Sequence, residues 1–471
     1  MLSIGSNVIP NHEYGVWVGF NDINPFIPNT HSVFCTGSKN WHKPPRLGET
    51  AEILVFDALL QSGTVIGHTT AINYPIGART QCVQKDGAPF YLINNSNGGI
   101  PCLETYNSSF ECIEILPKIH HWCTTNDFKY SICCDFNNSQ RLGGYGYLLP
   151  NLPLTESHYY YPRSISLYSY DNCSHEEIVS LAEVVDLVAK YLKISPTDLI
   201  KNAYLTHPLL SPSETKLAFL FRSWLRDGGI LTSLLFVDSF PTKSRKVKLL
   251  LVGQLSHFTW LSDDKLLIYA YQLLDSNSPR VRINYARGLK YFTKATKSAF
   301  KLVRSAQSVL KHLHSPVDSY GNESFDSKFS QKLPCFVSVN VNTKAHGFLP
   351  FPLPACDGHP SVSDKNNSKI LISDTYPNIL STRRVFSVDL DSGDLLHDQL
   401  VTEYAPKNIP IYNWISQGLA LPRYADFSKK AVSFTRSGLH CDAHPFFNED
   451  ASVFGYHTSA DGYRTIKTKI L

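Results

Sequence analysis

A histidine that opens a β-hairpin, repeated along the chain, is the feature that most limits what this sequence can fold into. Four segments share one form: a histidine, an apolar residue or proline, a short extended stretch, a polar turn and a second apolar run. They read HPLLSPSETKLAFL from His207, HFTWLSDDKLLIYA from His257, HPSVSDKNNSKILIS from His359 and HPFFNEDASVFGY from His444. A polar turn between two extended apolar stretches is a hairpin signal, so each segment predicts two antiparallel strands. Weaker copies begin near Asn24 (NPFIPNTHSVFCT), Gln81 (QCVQKDGAPFYLIN) and His121 (HWCTTNDFKYSICCDF). Seven such units, at intervals of roughly 40 to 100 residues, fit four-stranded propeller blades of about 40–50 residues with insertions in the longer intervals. The expected fold is therefore all-β: a single seven-bladed β-propeller over residues 1–471, with helical and loop insertions.

Further strands can be read between the hairpins. AEILVFD (51–57), SISLYSYD (164–171), TSLLFVD (232–238) and RVFSVDLDSG (384–393) alternate and end at aspartate-containing turns. The sequence ends on YRTIKTKIL, which leaves the unit begun at His444 short of an outer strand. The early strand YGVWVGF (14–20) is expected to supply it and close the ring, because closure removes free sheet edges. Residues 174–203 predict a helical insertion, with Ser174 and Glu177 as a capping box and Ile178, Leu181, Val184, Val185, Val188 and Leu192 at helical spacing. Residues 275–345 predict a second insertion. Its 280–313 stretch carries nine Lys and Arg and no acid, which fits a lid, a membrane-surface helix or a partner patch as well as a solvated helix face.

Composition narrows the class. Charged residues make up 18% and aromatics 12%, as expected for a strand-rich core. A formal net charge of +4 gives no ground for nucleic acid as a partner. No run of eighteen apolar residues predicts a transmembrane segment, and the first twenty residues carry no pattern of a secretory signal. The 11 cysteines form no CxxC pair, which argues against a disulfide framework and points to free thiols in a reducing, cytoplasmic setting.

The chemistry sits at the first residue of the repeat. In a propeller the first strand of each blade lines the central channel, so equivalent positions in successive blades form a ring. His207, His257, His359 and His444 are thereby expected to converge, and convergent imidazoles suit a divalent metal: Mn²⁺ first, Fe²⁺ or Zn²⁺ next. A structural histidine within each blade is the plain alternative. Asp357 and Asp442 stand two residues before His359 and His444 and so share a face with them, either as ligands or as orienting partners. Gln81 and His121 take related places. A second set consists of cations: Arg79, Arg141, Arg222, Arg226 and Arg464, with glycines flanking Tyr145 where a loop could approach a ligand closely. Arginine pairs bidentately with carboxylates, so an acidic saccharide is one ligand that Arg79, Gln81, Arg141, Tyr145 and Arg464 would suit. No G-x-S-x-G, P-loop or HExxH motif is present, so nothing supports nucleophilic catalysis.

At DGHPSVS…ILISDTYPN (357–378) and CDAHPFFNEDASVFGYHTSADGYR (441–464) the sequence resembles the oligogalacturonate lyase group of seven-bladed propellers and related WD-repeat-like proteins. The segments 203–222, 255–270 and PPRLGETAEILVFD with GARTQ support the likeness. The resemblance implies a metal at the channel mouth held by His257, His359 and His444, with His207 as a base and Arg222 as a carboxylate clamp. Where the family carries Gln-x-x-His-x-His, this sequence has Asp442-Ala443-His444, which brings Asp442 among the expected ligands. The implied activity is metal-dependent β-elimination on a uronate-containing saccharide. A non-catalytic glycan-binding or polysaccharide-assembly propeller, and a protein-interaction scaffold, are the alternatives.

Overall fold

The computed structural model describes residues 8–10, 14–41, 48–73, 76–144, 146–147, 159–225, 230–241, 245–274, 335–349, 353, 357–365, 368–376, 382–402, 442–448, 450–461 and 463–471. The protein is a β-propeller built almost wholly of antiparallel sheets in chain order. Among the described residues there are six sheets. The second, Gln81–Lys85 to Cys112–Pro117, the third, His121–Thr124 to Ser174–Val179, and the fifth, Ser361–Lys365 to Leu395–Thr402, are four-stranded meanders. The last has the three strands Phe446–Phe447, Val453–Thr458 and Thr465–Ile470.

The fourth sheet has seven strands because one of them, Val247–Ser262, is long enough to serve two meanders. Its first half pairs with Ile230–Val237 and its second with Lys265–Leu273. Irregular register at Gln254/Leu255 and Leu255/Phe258 marks where it changes role. A bulge bends a strand and re-aims its side chains, and His257 lies inside this one.

The strands bury both faces where sheets stack. Leu217–Trp224 and Ile230–Val237 are buried nearly throughout, which is why they read as continuous apolar runs rather than strict alternations. The seven hairpin starts read from the sequence all border one cavity of about 540 Å³, through Phe26, Val83, Thr124, Leu210, Thr259, Val362 and Phe447. The four candidate third strands each overlap an observed strand, Ala51–Asp57, Ile165–Ser169, Ile230–Val237 and Thr382–Asp389, three of them running past its end.

Two expectations are corrected here. The early strand, Gly15–Trp17, does not enter the last sheet; it pairs with Ser32–Ser38 in the first. It touches the last sheet through Val16 N–H, which donates to the Arg464 carbonyl at 2.9 Å, and Val18 N–H, which donates to His457 Nε2 at 2.9 Å. The helix of the 174–203 insertion begins later than its spacing predicts. Ser174–Val179 is a strand, and the helix is Leu181–Leu192, capped by Ser180, whose side chain accepts from Glu183 N–H. A strand with Ser174 at its start satisfies its backbone through Ile165–Ser169, so the cap falls to the next Ser-x-x-Glu, a contribution of about 1 kcal/mol. Within 275–345 the described part is 335–345, of which Cys335–Asn340 is a strand, paired with His346–Gly347 just beyond that range. The basic stretch 280–313 lies outside the described residues.

Candidate metal centre

The hairpin starts bring the four histidines together. Ring centroids lie 5.8 Å apart for His207–His257, 4.3 Å for His257–His359 and 4.1 Å for His359–His444. All four are buried. His207 and His444 hold positive φ of 54° and 38°, so the backbone is strained to aim them inward. Trp122 continues the arc at 5.3 Å from His207. His121 does not join it: its ring nitrogens meet Thr124 Oγ1 at 3.0 Å and the Arg79 carbonyl at 2.8 Å.

The middle of the arc is filled. The Phe20 ring lies 4.7 Å from His444, 4.9 Å from His207, 6.1 Å from His257, 6.4 Å from His359 and 6.0 Å from Trp122. It comes from the segment that Val18 N–H pins to His457. Gly19, at φ 119°, lets the turn pass against the Ile76 carbonyl, where a Cβ would come within 2.2 Å.

The donor atoms sort the histidines into roles. One atom from each of His359, Asp442 and His444 lies within 4.8 Å of the others. His359 Nδ1 lies 2.8 Å from Asp374 Oδ1, which leaves Nε2 as its outward-facing atom. His444 Nε2 is buried without a hydrogen-bond partner among the described residues, 4.0 Å from Asp442 Oδ2. His257 Nδ1 lies 3.1 Å from Ser256 Oγ and 3.7 Å from Asp357 Oδ1, while Tyr271 donates to the other Asp357 oxygen at 2.9 Å. A buried, unpartnered imidazole nitrogen beside a second histidine and a carboxylate is the donor set of a two-histidine, one-carboxylate metal site. Such a set fits Mn²⁺, Fe²⁺ or Zn²⁺.

The surroundings divide the histidines by protonation, and at His359 a metal would have to displace a proton. Burial holds His444 and His207 well below the ordinary histidine range and lowers His257 also, so these rings are neutral, the form that binds metals. Burial acts the same way on His359, but the Asp374 carboxylate, with Asp442 and Asp357 behind it, outweighs it and raises that ring. Asp374 is itself lowered: burial opposes this, and His359 and Arg383 overcome it.

Asp374 and Arg383 escaped the sequence reading. The Asp374 carboxylate takes His359 N–H at 2.7 Å and His359 Nδ1 on one oxygen, and Ala443 N–H at 3.1 Å and Arg383 NH1 at 3.2 Å on the other. It therefore holds both segments that carry the donors. Gly358 makes the approach feasible, since a Cβ there would lie 1.8 Å from the Asp374 carbonyl oxygen.

The remaining candidates are engaged elsewhere. Arg79 is fully buried and forms a two-pronged pair with Asp22, at 2.7 and 3.0 Å, while its Nε donates to the Trp122 carbonyl at 2.7 Å. Gln81 exchanges two 2.8 Å bonds with the Thr124 backbone. Arg141 is exposed in the last turn of the helix Phe136–Leu142 and donates to Asn138. Arg464 is buried in the last unit, where its charge weighs on His457. Arg222 is buried between Tyr204 and Thr232 in register, close enough to lower His207 and His257. Tyr145 lies outside the described residues.

No protein-family model matches the chain, and no curated protein does. Solved structures do. Prolyl oligopeptidase B from Galerina marginata is 8% identical with a TM-score of 0.42, over 98% of this chain and 52% of that one. A post-proline cleaving enzyme from Rickettsia typhi is 11% identical with a TM-score of 0.37, over 83% and 46%. TolB from Acinetobacter baumannii is 12% identical with a TM-score of 0.29, over 55% and 52%. The chain thus spans about half the length of these proteins. The likeness is one of β-propeller fold, and the resemblance to the oligogalacturonate lyase group gains no support from it. The expected β-elimination on a uronate is corrected. The three structures named above are two peptidases and TolB, Phe20 packs between the histidines, and Arg79 is paired with Asp22.

Proposed function

We propose that this chain is a metal-binding β-propeller, in which His359, Asp442 and His444 hold a divalent transition metal where the hairpin starts converge. The observation that carries this reading is the buried His444 Nε2, unpartnered and grouped with His359 and Asp442. His257 stands next to His359 as a fourth donor. Counting the long strand Val247–Ser262 as the join of two blades brings the units to seven. On that count His359 belongs to the sixth and the Asp442–His444 pair to the seventh, so the ion would cross-link neighbouring blades. When bound, the ion supplies a positive charge that the buried carboxylates Asp442 and Asp374 face, and Asp374 orients the His359 ring for it. With Phe20 packed on the histidines, the arrangement favours binding over turnover. The nine free cysteines among the described residues accord with a reducing, cytoplasmic setting. No described helix is long and apolar enough to cross a membrane.

The test is elemental analysis of the purified protein, then calorimetric titration of the chelator-treated protein with Zn²⁺ and Mn²⁺. One equivalent of metal, lost in His444→Ala and in Asp442→Asn, is expected. A folded protein that takes up no ion from either titration overturns the reading.

A further inference from the structure

The cavity bordered by the seven hairpin starts has its own chemistry. It measures about 540 Å³, within the range of small-molecule sites. Phe258 and Trp260, both buried, stand in its wall, and Trp260 is fixed by Nε1 donating to the Leu209 carbonyl at 2.9 Å. Of its three carboxylates, two are already neutralised. Asp22 is paired with Arg79 at 2.7 Å, and Asp364 with Lys369 at 2.8 Å.

The third is Glu214, and among the described residues no lysine or arginine forms an ion pair with it. One of its oxygens accepts Asn126 N–H at 2.9 Å, which reaches across from the neighbouring sheet and fixes the carboxylate at the cavity wall. The residue holds φ 57° in the turn closed by its own N–H donating to the Ser211 carbonyl at 2.8 Å. That conformation is disfavoured for a residue with a Cβ. Burial raises its pKa, and Asp127 nearby adds to the rise, while the Asn126 bond opposes it. The cavity thus carries a fixed carboxylate without an ion-pair partner among the described residues, and two aromatic rings, in one lining.

We propose that the channel cavity binds a small organic cation, an ammonium head on an apolar body, with the head on Glu214 and the body against Phe258 and Trp260. A half-buried carboxylate gains most from a cation that can donate hydrogen bonds to it. An aromatic wall adds attraction for the same charge and covers an apolar body. The site is separate from the histidine centre, since none of His207, His257, His359 and His444 lines the cavity.

The test uses the full chain with a chelator present, so that metal plays no part. Phenethylamine and its neutral counterpart 2-phenylethanol are titrated and followed by ligand-observed NMR. Saturable binding of phenethylamine, at least tenfold tighter than that of 2-phenylethanol, is expected. Glu214→Gln should weaken the amine at least tenfold and leave the alcohol within twofold. No saturable binding, or a wild-type preference under threefold, overturns the proposal whether or not the variant folds. Equal loss of both ligands in a folded Glu214→Gln protein also overturns it, since that marks a structural role for the Asn126 bond.

Discussion

Asp374 Oδ1 lies 2.8 Å from His359 Nδ1 and also accepts the His359 backbone N–H at 2.7 Å, so one oxygen fixes both the ring and the chain that carries it. Replacing Asp374 by Asn removes the charge that orients His359 and leaves Arg383 buried without its closest carboxylate. Zn²⁺ affinity should fall by about 10- to 100-fold, the usual effect of removing a carboxylate behind a ligating histidine. Titration calorimetry reads this directly, and unchanged affinity would remove Asp374 from the centre.

Gly358 carries a related prediction. Alanine there would place a Cβ 1.8 Å from the Asp374 carbonyl oxygen, so the segment before Ser361–Lys365 must move away from Asp374. Gly358→Ala should lose metal binding to the same degree as Asp374→Asn, although it alters no donor. A circular dichroism spectrum like the wild type's, measured beside the titration, separates this from unfolding.

Phe20 fills the space among four imidazoles and Trp122. Truncating a buried phenylalanine to alanine costs about 3–5 kcal/mol, the higher values where the surroundings cannot collapse. Phe20→Ala should reach that range in urea unfolding, and Phe20→Leu should lose less than half as much. A loss below about 1 kcal/mol in the alanine variant would mean the histidines close up without it.

Arg79 and Asp22 form a clamp under Trp122. Breaking a buried pair by removing one partner costs about 3–5 kcal/mol because a charge is left uncompensated. Arg79→Met should therefore destabilise more than the double variant Arg79→Met with Asp22→Asn. A double-mutant cycle on urea midpoints checks it, and additive losses would contradict a working pair.

Acid should weaken the fold over a defined window. Burial pushes His120 and His121 down to about 3, whereas unfolded histidines titrate near 6.5. Between these values the unfolded chain binds more protons, so stability is full above about pH 6.5 and falls as pH drops towards 3. Each histidine can contribute a slope of up to about 1.4 kcal/mol per pH unit. Melting temperatures from pH 7.5 to 4 should decline most steeply below 6, and His121→Asn should flatten the decline.

The hairpin starts were legible because each binds a local pattern, histidine to turn to apolar run, within about fifteen residues. The convergence of His207, His257, His359 and His444 followed from that repetition. Asp374 could have been found by counting: in the hairpin Ser361 faces Ile372, so two residues back and two residues on, His359 faces Asp374. Phe20 could not, since it arrives by a turn against the Ile76 carbonyl and a hydrogen bond to His457, neither of which leaves a spacing. Arg79 looked free for a ligand because its partner Asp22 sits on the same long-range segment. The early strand was assigned to the wrong sheet for the same reason: Gly15–Trp17 alternates equally well beside Ser32–Ser38 or beside the last hairpin, and only three-dimensional packing decides.

The Phe20 contact has a bearing on how the pocket assembles. Phe20 and His444 meet in space from positions 424 residues apart, so any partial chain that lacks either one lacks the finished pocket. A donor pair and its packing partner contributed by such distant segments assemble only with tertiary structure, not with any local hairpin.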